Sequence, residues 1–257
     1  MENTMAKIAI DAGHGGRDPG AVYEGRREKD DTLRLALAVG EILERNGVDV
    51  VFTRTEDIYD SPTRKAQIAN EANVDYLVSI HRNAMPIPGS ASGIETLVYQ
   101  EGNQASNLAE DINEELEKVG FQNRGVIPRP NLAVLRRSKM PAVLVEVGFI
   151  DNEEDNQLFD EKFDQIAQAI ADGVLMYLGN GNSNDSKPLY RVQVGAFQKR
   201  EFAYQLVMQL QNEGYPAFTI YDDGYYKVQV GAFQYLDNAV RMEQRLRRAG
   251  YQTYLTT

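Results

Sequence analysis

Ile8-Ala9-Ile10-Asp11-Ala12-Gly13-His14-Gly15-Gly16 joins an apolar, strand-like run to a histidine that is surrounded by glycines. In parallel α/β sheets the loops beyond the carboxyl ends of the strands carry the chemistry. The chain has only one other histidine, His81, and it also follows an apolar run, Tyr76 to Ile80. The two histidines therefore predict a functional site at one edge of a sheet.

Apolar runs alternate with amphipathic segments as far as Leu178, which predicts an α/β domain with a mainly parallel twisted sheet flanked by helices. The stretch from Phe121 to Leu135 is predicted to be irregular. Strands are expected at Lys7 to Ala12, Val48 to Thr53, Tyr76 to Ile80, Ile94 to Tyr99 and Ala142 to Val147. Helices are expected at Leu33 to Asn46, Thr63 to Asn73, Gln104 to Val119 and Phe163 to Leu178.

The last third of the chain contains an internal repeat. The run Tyr190 to Gln198 returns 36 residues later as Tyr226 to Gln234, and a helix, a Gly-Tyr pair and a short strand are expected after each copy. Two such halves predict a small α+β domain with a ferredoxin-like βαββαβ order. The predicted organisation is a catalytic domain at 1–178, a flexible linker at 179–188 and a second domain at 189–257, with repeats at about 190–221 and 226–257.

Composition and charge exclude several classes of protein. The net charge is −11, and residues 1–178 carry 18 Lys and Arg against 31 Asp and Glu, which argues against nucleic acid as a partner. The absence of cysteine excludes disulfides and thiolate metal sites. No apolar run is long enough for membrane insertion, and no secretory signal is visible. We therefore expect synthesis in the cytoplasm and, for an extracytoplasmic substrate, release by lysis or another route.

The histidines suggest a metal site. Catalytic zinc favours three nitrogen or oxygen ligands and leaves one position open. His14 and His81 supply two nitrogens, and Glu28 is the preferred oxygen ligand, with Asp30 and Asp31 as alternatives. A structural role for each histidine also stays open, as does a role for Glu28 as a charge at a helix amino terminus.

A further acid stands at a strand end. Glu146 lies within the apolar run Ala142 to Val147, where burial disfavours a charge. It is therefore the candidate for the catalytic acid/base, with a buried ion pair as the alternative role. Asp11 is interpreted as a sheet-end acid and not as a ligand.

These residues lie in four short motifs that occur in order between about Lys7 and Leu178. The motifs are Asp11-Ala12-Gly13-His14-Gly15-Gly16, Arg27-Glu28-Lys29-Asp30, Ser79-Ile80-His81-Arg82-Asn83-Ala84 and Val145-Glu146-Val147-Gly148-Phe149-Ile150. Together they resemble the zinc-dependent N-acetylmuramoyl-L-alanine amidases of the type 3 amidase family. The resemblance implies Zn²⁺ held by His14, Glu28 and His81, with Glu146 as the catalytic acid/base. It also implies cleavage of the amide between the muramic acid lactyl group and the L-alanine of the peptidoglycan stem peptide.

The same resemblance suggests substrate contacts. Asn83 follows the second histidine as in the family, and a turn-stabilising role is its alternative. The segments Asn123 to Val126 and Asn131 to Arg136 resemble a family stretch that lines the substrate groove, so Arg124, Asn131 and Leu132 are expected to bind substrate. One departure is Ala12, where family members usually carry proline.

The repeat resembles a SPOR domain, over about Leu189 to Thr257, through its two Val-Gln-Val-Gly-Ala-Phe runs. The resemblance implies binding to peptidoglycan glycan strands. Gln193 and Gln229 can hydrogen-bond sugars, and the tyrosines Tyr190, Tyr204, Tyr225 and Tyr226 can stack on sugar faces or belong to the core.

An amidase with this tail resembles the autolysins that dissolve the mother-cell wall in sporulation, and phage endolysins are the nearest alternative. Two other classes stay open: a different zinc peptidase or deacetylase acting on the cell wall, and a non-catalytic wall-binding protein.

Overall fold

The computed structural model describes residues 6–179, 190–213, 215, 217–233 and 236–256. The predicted linker, 179–188, falls outside these residues except for Gly179, so its flexibility stays a prediction. Within the described ranges no helix is both long and apolar enough to cross a membrane.

The first domain contains eight strands and six helices among the described residues. The strands are β1 Lys7–Ala12, β2 Val22–Tyr23, β3 Arg26–Arg27, β4 Asp49–Phe52, β5 Tyr76–Asn83, β6 Ile94–Val98, β7 Asn123–Pro128 and β8 Ala142–Phe149. The helices are α1 Glu28–Arg45, α2 Pro62–Glu71, α3 Gln104–Val119, α4 Ala133–Arg137, α5 Glu153–Glu161 and α6 Phe163–Gly179.

Six of these strands form one sheet in the order β4-β1-β5-β8-β6-β7. The first four run parallel, whereas β6 is antiparallel to β8 and β7 is parallel to β6. The mainly parallel α/β fold is therefore confirmed, with two strands reversed at one edge. The central neighbours are β5 and β8, which carry His81 and Glu146.

Apolar side chains cover both faces of the sheet. Ile8 and Ile10 pack with Leu35, Val39 and Leu43 of α1 in a core that also includes α3 and α6. The alternate residues of the strands face α2 and α4 in a second core, which includes Ala9, Leu77, Leu144 and Ala69. This burial on both faces is what nearly continuous apolar strands require.

Three expectations need correction. Helix α1 begins at Glu28 and not at Leu33, because the acidic first turn Glu28, Asp30 and Asp31 is helical and is stabilised by the helix dipole. The supposedly irregular stretch contains β7 and α4, whose short length and polar ends hide them in the sequence. Helix α5 was not predicted; Asn152 caps it by accepting a hydrogen bond from the Asp155 amide.

The second domain has the predicted βαββαβ order. Its elements are β9 Tyr190–Phe197, α7 Arg200–Asn212, β10 Ala217–Asp222, β11 Tyr225–Phe233, α8 Leu236–Arg248 and β12 Tyr254–Thr256. They form an antiparallel sheet in the order β10-β11-β9-β12. Val192, Val194, Val228 and Val230, from the repeated runs, are buried against the helices.

One of the contacts between the two domains is made by a carboxylate of the first, Glu101. Gln229 Nε2 donates to both oxygens of Glu101 at 3.1 and 3.2 Å, and Arg191 Nε lies 3.6 Å from Glu101 Oε2. Gln229 is buried in this arrangement, while Tyr204 and Tyr225 are exposed. The glutamine that was expected to meet sugars therefore meets the first domain here.

Candidate active site

Two central strands, one loop and one helix amino terminus bring four side chains to one edge of the sheet. His81 of β5 lies directly opposite Glu146 of β8 in the strand register. His14 follows the end of β1, and Glu28 is the first residue of α1. The structure therefore gathers the four residues from distant parts of the sequence at the carboxyl end of the parallel strands.

The turn that carries His14 depends on glycine. His14 itself has a positive φ of 59°, and the neighbouring Gly15 has a φ of 133°, which disfavours any residue with a Cβ. Gly13 lies under the ring of His81, so closely that a Cβ there would come within 2.5 Å of the ring. The glycines thus allow the two histidines to approach, and their ring centroids lie 4.9 Å apart.

His14, Glu28 and His81 form a compact donor group. Glu28 Oε2 lies 3.0 Å from His14 Nε2, and Glu28 Oε1 lies 2.9 Å from His81 Nδ1. One candidate ligand atom from each residue lies within 4.8 Å of the others. Within the described ranges, this is the group of histidine and acidic residues that could hold a metal ion.

Backbone amides fix the carboxylate of Glu28. The amide of Ala21 donates to Oε2 at 2.8 Å, and the amide of Arg82 donates to Oε1 at 3.0 Å. Burial raises the pKa of Glu28, but the hydrogen bonds and charges of His14 and His81 outweigh this and lower its pKa well below the usual range. Glu28 is therefore an ionised, oriented carboxylate.

The alternative acids lie in other interactions. Asp30 forms an exposed ion pair with Arg27 at 2.7 Å. Asp31 accepts from Arg26 and from the buried Arg82, both at 2.7 Å. Among the three acids of the first turn of α1, only Glu28 joins the histidines.

Asp18 orients the ring of His14. Its Oδ2 lies 2.9 Å from His14 Nδ1, within hydrogen-bonding distance, while Nε2 of the same ring faces Glu28 Oε2 at 3.0 Å. Burial lowers the pKa of His14, but the bonds and charges of Glu28 and Asp18 outweigh it and raise that pKa. The sequence contained a weak signal for this partner, because Asp18 follows His14 by four residues in the same loop.

Glu146 lies in an environment that disfavours its charge. Burial, followed by the negative charges of Glu28 and Glu95, raises the pKa of Glu146 well above its usual range. Its Oε2 is buried, and no hydrogen-bond partner reaches that atom among the described residues. An unpartnered buried carboxyl oxygen beside a polar group is typical of a proton-transferring residue.

Glu95, which sequence reasoning missed, connects two of the predicted substrate residues. It pairs with Glu146 across β6 and β8. Its Oε1 accepts from Asn83 Nδ2 at 2.9 Å, and its Oε2 accepts from Arg124 Nε at 3.1 Å. Asn83 and Arg124 therefore lie at the same sheet edge as Glu146, held by one buried acid.

Asn131 and Leu132 lie elsewhere. They follow the end of β7, where Pro128 pairs with Val98 and Val98 pairs with Val143. Val143 precedes Glu146 by three residues, or about 10 Å along a strand. Because β7 runs opposite to β8, the two residues leave the sheet at its far end, and the structure does not bring them to His14 and His81. Of the four residues expected to bind substrate, Asn83 and Arg124 thus lie beside Glu146, whereas Asn131 and Leu132 lie at the far end of the sheet.

Two buried cations were also missed. Arg54 and Lys65 are each 3% exposed and donate to backbone carbonyls of the His14 turn. Ala12, the departure from the family pattern, is fully buried, and its carbonyl accepts from both cations. The loop is thus held by side-chain hydrogen bonds at the position where relatives of the expected family usually have proline.

A parallel α/β sheet with a His-Glu-His group at its carboxyl edge and a buried acid beside it defines a candidate metallohydrolase site. Residues 8–176 match the N-acetylmuramoyl-L-alanine amidase family (Amidase_3), and residues 186–257 match the SPOR domain. The chain belongs to this amidase family and carries a SPOR domain.

Similar proteins span most of the chain. The sporulation-specific N-acetylmuramoyl-L-alanine amidase of Bacillus subtilis is 39% identical over 225 residues, covering 85% of this chain and 86% of that protein. The endolysin of Bacillus phage SPP1 is 35% identical and covers 72% and 73% of the two chains. The crystal structure of N-acetylmuramoyl-L-alanine amidase from Clostridium difficile 630 is 36% identical, with a TM-score of 0.66 over 69% of this chain and 99% of that one.

Proposed function

We propose that this amidase is zinc-dependent and cleaves the amide bond between N-acetylmuramic acid and the L-alanine of the peptidoglycan stem peptide. The observation that carries the proposal is the juxtaposition of His14, Glu28 and His81 with the buried acid Glu146 at one edge of the sheet. Family membership adds the substrate class.

The donor set fits zinc. Two imidazole nitrogens and one carboxylate oxygen are a ligand set that catalytic zinc sites use. Asp18 on His14 Nδ1 supplies the outer hydrogen bond that fixes the tautomer of a ligating histidine. His14, Glu28 and His81 would hold the ion, which when bound supplies the Lewis acidity that polarises a carbonyl and acidifies water.

Glu146 would move the protons of the reaction. Its carboxylate accepts the proton of the attacking water, and the resulting carboxylic acid then protonates the leaving nitrogen of L-alanine. A cation next to Glu28 offsets one of the negative charges that raise the pKa of Glu146. This brings that pKa closer to the range in which one group serves as both base and acid.

Asn83 and Arg124 would bind substrate beside this acid. Their side chains already share Glu95, which fixes their positions before substrate arrives. Asn131 and Leu132, at the far end of the sheet, lie outside this proposed contact region.

The SPOR domain would target the enzyme to peptidoglycan glycan strands. The similar sporulation-specific amidase supports a role in lysis of the mother-cell wall, and the similar SPP1 protein supports a phage endolysin as the second candidate. In either role the protein would act on the cell wall after lysis or release. We further propose residues 1–178 as the catalytic domain, 179–188 as the linker and 189–257 as the wall-binding domain.

A digest of purified peptidoglycan tests the proposal. The protein should release new L-alanine amino termini without new reducing sugar ends, and a chelator should abolish this while added zinc restores it. Glu146→Gln should keep zinc bound and lose turnover. New reducing ends, activity that resists the chelator, or a Gln variant with near-normal activity would each contradict part of the proposal.

A further inference from the structure

Two buried cationic side chains donate hydrogen bonds to the backbone carbonyls of the turn that carries His14. Lys65 Nζ donates to the carbonyl of Ala12 and, at 3.2 Å, to that of His14. Arg54 donates to the carbonyls of Ala12 at 3.0 Å and Gly13 at 2.9 Å. Each carbonyl from Ala12 to His14 thus accepts from a cation that is almost fully buried.

Beyond the carbonyl of Ala12, which both bind, the two cations reach different atoms. Arg54 also donates to the carbonyl of Lys29, so it joins the turn to α1. Lys65, which comes from α2 on the other face of the sheet, reaches the carbonyl of His14 itself. Of the two, only Lys65 therefore donates to the carbonyl oxygen of the candidate metal ligand itself, whereas Arg54 binds the preceding carbonyl, that of Gly13.

The conformation of His14 requires such a contact. A φ of 59° is unfavourable for a residue with a side chain, so surrounding bonds must hold it. Rotation of this residue back to a negative φ would move its ring away from Glu28 Oε2, which now lies 3.0 Å from Nε2.

We infer that Lys65 is a positioning residue for His14: its ammonium group holds the His14 peptide in the left-handed conformation that directs Nε2 toward Glu28. This inference rests on the proposed zinc site. It assigns to Lys65 a role in metal affinity, although the residue lies on α2, outside the motifs that carry the ligands.

A simpler role would be charge neutralisation. Lys65 Nζ also lies 2.9 Å from Asp11 Oδ1, and Asp11 is 1% exposed. Loss of the lysine would leave this carboxylate buried without its cation, which destabilises a fold by itself. A test must therefore remove both charges together.

The experiment compares Lys65→Met, Lys65→Arg and the double variant Lys65→Met with Asp11→Asn in the full chain. The amide introduced by Asp11→Asn retains partners in the hydroxyls of Thr53 and Ser79, which lie 2.5 and 2.6 Å from the two Asp11 oxygens. Leu43→Ala, a buried change in the core of α1, is the control for lost stability without contact to the turn. The readouts are zinc affinity, by competition with a chromophoric chelator, and urea unfolding of the metal-free protein.

We expect Lys65→Met to weaken zinc binding by about 10- to 100-fold, as loss of an orienting partner does. The double variant should regain stability but not affinity, whereas Lys65→Arg should retain more affinity than Lys65→Met, and Leu43→Ala should lose stability alone. A double variant that binds zinc within about twofold of the wild type would overturn the inference and leave the zinc site standing. A wild-type protein that binds no zinc would overturn the proposed function itself.

Discussion

Gly13→Ala tests the close approach of the two histidines. A Cβ at Gly13 would lie 2.5, 2.6 and 2.7 Å from three atoms of the His81 ring, whereas ordinary contact begins at 3.4 Å. The ring must therefore retreat by about 0.9 Å, since the backbone beneath it is fixed by the hydrogen bond from the Gly13 amide to the carbonyl of Ile80 at 2.9 Å. Gly13 has no positive φ, so backbone strain does not add to the effect.

The retreat moves His81 away from Glu28 and from the proposed metal position. A shift of this size costs about 100-fold in kcat/KM when it misplaces a catalytic group. Overpacking should lower the free energy of unfolding by about 1–3 kcal/mol. Three measurements test these effects: zinc affinity by chelator competition, kcat/KM on purified peptidoglycan, and the free energy of unfolding in urea.

Gly102→Ala is the matched control. Its φ is 75°, so it also loses stability, but a Cβ there meets nothing within 4 Å. It should keep zinc affinity and activity. Zinc affinity and turnover in Gly13→Ala equal to those of Gly102→Ala would show that the close packing of Gly13 under His81 does not determine the position of this ring.

Three further outcomes are expected. Zinc at 100 times its Kd should stabilise the wild type by about 2.7 kcal/mol in urea unfolding; a His14→Ala variant that gains the same amount would place the ion elsewhere. Arg82→Met should lower the free energy of unfolding by about 3 kcal/mol, because it removes a buried cation, 2% exposed, that binds Asp31 at 2.7 Å; a loss below 1 kcal/mol would refute this. Burial raises the pKa of Asp11, but Lys65 and the two hydroxyls outweigh it and lower that pKa below 3.8. The stability from Asp11 is thus present above pH 3.8 and lost as pH falls through the lower folded pKa. Asp11→Asn should therefore weaken the fall in the free energy of unfolding at acidic pH. An unchanged slope of that free energy against pH would contradict a lowered pKa for Asp11.

Much of the site was predictable because its residues stand at ends of recognisable elements. His14 and His81 follow apolar runs, and Glu28 begins a helix whose acidic first turn is visible in the sequence. The adjacency of β5 and β8, which places His81 opposite Glu146, could not be derived, because strand order follows from how the helices cross the sheet.

The errors have a common cause: the direction of a strand and the burial of a polar side chain leave little trace in a sequence. Nothing in Ile94 to Val98 indicates that this strand runs antiparallel to β8, and so the position of Asn131 and Leu132 at the far end of the sheet could not be derived from the sequence. Lys65 lies in a polar helix that looks solvated, yet it is buried beneath the His14 turn. Glu95 sits in a short strand whose other residues are mostly apolar, and its role follows only from its partners.

The reversal of β6 and β7 also places loops that can vary at the same edge of the sheet as the residues proposed to perform the chemistry. Because β6 starts at the edge where β5 ends, the connection at residues 84–93 stays at the active-site edge, and so does the turn between α3 and β7. Neither segment supplies a proposed ligand or the acid Glu146. Insertions and exchanges in these two segments can therefore alter which wall polymers reach the reaction centre without changing the four residues that would perform the chemistry.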